Sequence, residues 1–106
     1  MIRINTLQEL KNSDLTEEFK TFLTNKFTAI LKEYDLDDIS DIFSIIILDD
    51  NEMGNIGDRF FEFYDVMAFD GKKVIHTVCV LSDNYSEDIY LPYTAENEKM
   101  IESRCS

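Results

Sequence analysis

The sequence predicts an α+β fold. N-terminal helices, chiefly a long amphipathic helix over about residues 15–34, pack on an antiparallel sheet of about four strands, and a short C-terminal helix follows. Three observations carry this reading. Leu15, Phe19, Phe22, Leu23, Phe27, Ile30, Leu31 and Tyr34 recur at spacings of three and four, which places them on one stripe of a helix. Ile42 to Leu48 is apolar at both alternating sets of positions, as in a strand covered on two faces. Asp70-Gly71 separates two runs of alternating apolar residues, the signature of a two-residue hairpin turn.

The elements follow in order. Thr6-x-x-Glu9 has the form of a capping box, so a short helix is expected to about Lys11. Ser13-Asp14 reads as the start of the long helix, with Glu17 and Glu18 in its first turn complementing the helix dipole. Lys20, Lys26, Lys32 and Glu33 fall off the apolar stripe, on the side expected to face water. The aromatic members of the stripe read as core, not as a ligand box.

Strands are expected at about 42–48, 59–69, 73–81 and 88–91. In the 42–48 strand, Phe43, Ile45 and Ile47 share one face, and Ile42, Ile46 and Leu48 the other. Asp49 to Asp58 reads as a loop marked by Asn51, Gly54, Asn55 and Gly57. A tight turn at Asp70-Gly71 sets Phe69 opposite Lys72, Met67 opposite Val74, Asp65 opposite His76, Phe63 opposite Val78 and Phe61 opposite Val80. That face is expected to take the long helix. The opposite face, with Phe60, Tyr64, Val66, Ile75, Cys79 and Leu81, is too apolar to meet water alone. Asp83-Asn84 turns the chain, Pro92 ends a short strand, and Thr94 caps a last helix carrying Met100 and Ile101. That helix is too short to cover the whole second face.

Composition bounds the function. A chain of 106 residues holds one domain, residues 1–106, with a single core. Its 44% hydrophobic content excludes a disordered chain. Cys79 and Cys105 make no disulfide framework and read as free thiols of a reducing compartment. No apolar run is long enough for a signal sequence or a membrane span, so a cytoplasmic location is expected. The formal net charge of −12 argues against direct binding of nucleic acid, whose phosphates demand the opposite sign. Between Glu33 and Asp70 stand twelve acidic residues and one base, Arg59.

Few constellations could carry chemistry. Asp65 opposite His76 is the one pair with the look of a general base, since a carboxylate fixes an imidazole tautomer and raises its basicity. The register places Thr77 and Cys79, the nearest nucleophiles, on the other face, so a self-satisfied buried pair is expected instead. The Asp49–Asp58 loop resembles a calcium loop only loosely. Met53 stands where an oxygen ligand belongs and Phe60 where a bidentate Glu belongs. One His and two distant Cys exclude an ordinary zinc site. No phosphate-binding Gly loop, nucleophile elbow or Cys-x-x-Cys occurs, so neither cofactor nor metal is expected and an enzyme is not.

What remains is charge. Clustered carboxylates steer encounters with a basic surface. The expected function is an acidic protein-binding module that neutralises a basic protein partner. An inhibitor of the immunity or antitoxin type, covering the active surface of a nuclease-like toxin, fits best, because such a toxin must display positive charge to hold phosphate. Bacterial immunity proteins are similar in size and charge, although no motif sharpens that likeness. The alternatives are a self-associating or scaffold subunit, possible as a homodimer, and a nucleic-acid mimic of phage origin that blocks restriction or CRISPR machinery. The expected contact residues are Asp37, Asp38, Asp41, Asp49, Asp50, Glu52 and Asp58, flanked by the aromatics Tyr64, Tyr85, Tyr90 and Tyr93.

Overall fold

A computed structural model describes residues 1–37 and 42–105. Its elements run β1 (Ile2–Ile4), α1 (Leu7–Lys11), α2 (Glu17–Tyr34), β2 (Phe43–Ile47), a single 3-10 turn (Met53–Ile56), β3 (Tyr64–Phe69), β4 (Lys72–Ser82), β5 (Tyr85–Pro92) and α3 (Ala95–Arg104). The α+β class is as the sequence predicts. The sheet has five strands, in the order β1-β2-β5-β4-β3.

Two expectations about the sheet are corrected. The sheet is mixed, because β2 pairs with β5 in parallel, Phe43 opposite Ser86 through Ile47 opposite Tyr90. The chain leaves β2, builds the β3–β4 hairpin at the far edge, and returns through β5 to the side of β2. A connection of that length permits parallel pairing. The additional strand is β1, whose three residues pair antiparallel with β2. It is short enough that Arg3 between Ile2 and Ile4 is its whole alternation signal.

The helices start where side chains can cap them. Thr6 Oγ accepts from the Glu9 N–H, and Thr94 Oγ from the Asn97 N–H, as expected. The long helix is capped by Thr16, not by Ser13-Asp14. It ends at Asp35, which adopts the left-handed conformation with φ 53°.

The hairpin register follows the Asp70-Gly71 turn from Tyr64–Thr77 to Phe69–Lys72, including Asp65 opposite His76. Both turn residues have positive φ, 52° and 75°, as a two-residue turn of this kind requires. The strand before the turn is shorter than expected. Residues 59–63 drop out of the ladder, although the Glu62 N–H still donates to the Val78 carbonyl; Phe61, 1% exposed, turns into the core under α3 and bridges to Cys105.

Apolar side chains fill both faces. On one, Phe19, Leu23 and Phe27 of α2 pack with Ile4, Leu10, Phe43, Ile45, Phe69 and Tyr90. On the other, Ile46, Leu48, Ile75, Cys79, Ile89 and Leu91 meet Ile56, Phe61 and Ile101. The 3-10 turn and residue 61 thus complete the cover that α3 is too short to give. Ile42 packs on the α2 side, not opposite it. Val66, at the sheet edge, stays 41% exposed. Among the described residues no helix is long and apolar enough to cross a membrane.

Candidate functional site

Phe27, Ile30 and Leu31 of α2 still pack on the sheet. Past them, the last turn of α2, the start of β2 and the β4–β5 connection surround a concave surface. The result is an open groove of about 860 Å³. Ile30 and Tyr34 of α2 form one wall. Val80 of β4 and Tyr85 of β5 lie opposite, with Phe43 of β2 between them. Glu33, Glu62 and Asp83 supply the charge, and among the described residues no Lys or Arg lines the groove. Tyr34 is 59% exposed and Val80 47%, so the apolar part is open to water. An apolar floor with carboxylates at its rim suits a partner segment that offers aliphatic or aromatic contacts between basic side chains.

The sequence-predicted contact residues do not form one patch. Asp37 follows α2, at the groove end of the sheet, and is exposed. Asp38 and Asp41 lie outside the described residues. Asp49 and Asp50 are exposed but follow the opposite end of β2, a strand of five residues that spans roughly 16 Å. Glu52 is taken up locally. It contacts the Met1 ammonium and accepts from the Asp49 N–H, and these two bonds hold its carboxyl below the usual range. Asp58 is exposed beside the segment that crosses beneath the sheet.

The aromatics divide likewise. Tyr85 lines the groove, its hydroxyl bonded to Ser44 Oγ, which itself donates to Asn5 Oδ1 at 2.6 Å. Tyr64 packs against the core under α3. Tyr93 donates to Glu98 Oε1 at 3.2 Å and lies under the Lys73 ammonium. Tyr90 is no surface anchor: it is 0% exposed, because its ring fills the core between α2 and the sheet. No spacing in the sequence joins Glu33, Tyr34, Glu62, Val80 and Asp83. Their signal is weak, since they are joined only by the folding of three separate segments onto one edge.

Asp65 and His76 belong to a larger polar network. His76 is 7% exposed and stacks on Tyr90 with ring centroids 4.6 Å apart. Its Nδ1 stands 3.8 Å from Asp65 Oδ2 and its Nε2 3.6 Å from Asp88 Oδ1. Among the described residues Nε2 has no hydrogen-bond partner. Lys26 does not face water as expected. Its ammonium turns inward, 2.5 Å from Asp88 Oδ2 and 3.3 Å from the Tyr90 hydroxyl. Burial opposes ionisation of Asp88, but His76 and Lys26 outweigh it and hold the carboxyl below its usual value. Thr77 Oγ donates to the Phe63 carbonyl at 2.7 Å on the other side of the strand, and Cys79 is buried there. No hydroxyl or thiol of β4 therefore reaches the imidazole.

A second buried carboxylate, Glu87, lies on the α3 side of the sheet. It is 3% exposed and meets both Arg3, at 3.3 Å, and Arg59.

No family model, curated protein or solved structure matches this chain.

Proposed function

We propose that the protein is an acidic binding module that seats a basic segment of a partner protein in the groove between α2 and the β4–β5 end. The observation that carries the reading is the groove's make-up: exposed Tyr34 and Val80 beside Glu33, Glu62 and Asp83, with no cation among the described residues that line it. The overall charge of −12 adds long-range attraction for such a partner. The finer reading is an immunity or antitoxin-type inhibitor of a nuclease-like toxin, whose phosphate-holding surface supplies the positive charge. A cytosolic location fits it, Cys79 and Cys105 being free thiols.

The test is a paired capture from host lysate at low salt, with the native chain and with a Glu33→Lys, Glu62→Lys, Asp83→Lys triple variant as baits. A basic polypeptide held stoichiometrically by the native chain alone, and released by rising salt, supports the reading. Suppression of its nuclease activity by the native chain, and not by the variant, supports the finer one. Equal capture by both baits removes the groove as the contact surface.

Self-association is the second reading, favoured by β3. Among the described residues this strand pairs on one side only, with β4, and exposes Val66 next to its open edge. Sedimentation of the free chain separates the two: a dimer that persists at high salt favours this reading.

A further inference from the structure

The α3 side of the sheet holds a cavity of about 240 Å³ between β1, β2 and the 3-10 turn. Its floor is aliphatic. Ile46, Leu48, Ile56 and Ile89 line it, each no more than 3% exposed. Its polar wall consists of Arg3 and Arg59, with Met1 and Asn55 at the rim.

The arginines are placed unusually for this chain. Only three occur in a sequence of net charge −12, and two of them converge on the single carboxylate of Glu87. One guanidinium suffices to compensate one buried carboxylate. The second leaves the cluster with a formal charge of +1. Each guanidinium has five N–H donors in a planar fork, and the contacts to Glu87 engage only Nη1 of each. Both arginines line the cavity, and neither contact to Glu87 uses its Nη2 or Nε. Arg3 and Arg59 keep 40% and 32% of their side-chain surface exposed, so an incoming ligand can reach them.

We propose that this cavity binds a small organic monocarboxylate with an aliphatic body. The ligand's carboxylate neutralises the excess charge and accepts from the free guanidinium N–H groups, a planar match of the kind arginine favours. Its aliphatic body covers the Ile46, Leu48, Ile56 and Ile89 floor. A bare inorganic anion lacks that second half of the fit, and dehydrating it against an aliphatic floor is costly. The inference concerns the opposite face of the sheet from the groove and stands apart from the partner-binding reading.

The experiment is a titration of the full chain with sodium hexanoate, sodium acetate and inorganic phosphate, followed by NMR of the Ile δ1-methyl and Arg Nε–H signals. Saturable hexanoate shifts are expected at Ile46, Ile56, Ile89, Arg3 and Arg59. Acetate, lacking most of the apolar contact, is expected to bind at least about tenfold more weakly. Arg3→Gln leaves Glu87 paired with Arg59, so the variant retains its fold, and it is expected to weaken hexanoate by about tenfold. The proposal is overturned if hexanoate produces no saturable shift at these residues at millimolar concentration. It is overturned equally if phosphate or acetate binds as tightly as hexanoate, or if Arg3→Gln leaves the hexanoate affinity unchanged.

Discussion

The Lys26 ammonium of α2 lies 2.5 Å from the carboxylate of Asp88 on β5, and the pair ties the long helix to the middle strand of the sheet. Asp88 is only 6% exposed. A carboxylate so placed must be compensated, since its desolvation is not repaid by packing. Lys26→Met removes the closest compensating charge and leaves the weaker His76 contact. The expected loss of stability is about 3 kcal/mol, read by urea denaturation. A double variant, Lys26→Met with Asp88→Leu, is expected to recover much of that loss, because no buried charge then remains.

Stability is expected to fall at both ends of the pH scale for two different residues. The Asp88 carboxyl is held below its ordinary value of 3.8 in the folded chain. Its contribution is therefore complete above that value and is lost as pH drops below it through the lower folded value. Burial raises the Tyr90 phenol above its ordinary value of 10.0. A raised group contributes in full below its unfolded value, and the contribution is lost as pH climbs above it. Melting curves across pH should show both limbs. Asp88→Asn should flatten the acid limb alone, and Tyr90→Phe the alkaline limb alone.

The Asp70-Gly71 turn fixes the register of β3 on β4. Gly71 has φ 75°, where a β-branched side chain is strained. Gly71→Val is expected to cost about 1–2 kcal/mol. No heavy atom stands near the position a Cβ would take, so the loss is conformational and not steric crowding. Gly71→Asn, which tolerates the left-handed region, should restore most of the loss in the same denaturation assay.

Charge at the groove and charge at the far end of the sheet are expected to act differently on the proposed partner. Glu62→Lys with Asp83→Lys should slow association by about tenfold and flatten its salt dependence, as rim charges do. Asp49→Lys with Asp50→Lys carries the same change in net charge but follows the other end of β2. Its effect on the association rate should be several-fold smaller. Stopped-flow measurements at two salt concentrations distinguish the pairs, and equal effects would mean that net charge, not the groove, steers the encounter.

Local chemistry determined much of this protein. The three-and-four spacing from Phe19 to Tyr34 places α2, since a helix repeats within a single turn. Thr6 and Thr94 mark their helices because a cap reads residues only three positions away. Asp70-Gly71 specifies the β3–β4 register because a two-residue turn leaves no slack. The apolar doubling of Ile45, Ile46 and Leu48 announces a strand buried on both faces.

Only the tertiary structure decided the remainder. The side of β5 on β2 depends on pairing across a long connection, for which the sequence carries no period. Lys26 lies off the apolar stripe by spacing, yet it is long enough to reach around the helix to Asp88. Tyr90 looks like a surface aromatic until α2 closes over it. The groove of Tyr34, Glu62 and Val80, and the meeting of Arg3 with Arg59 on Glu87, each join residues from distant segments. Side chains that share neither a turn nor a strand become neighbours only when the sheet has been assembled, because their proximity is a property of strand order and not of spacing.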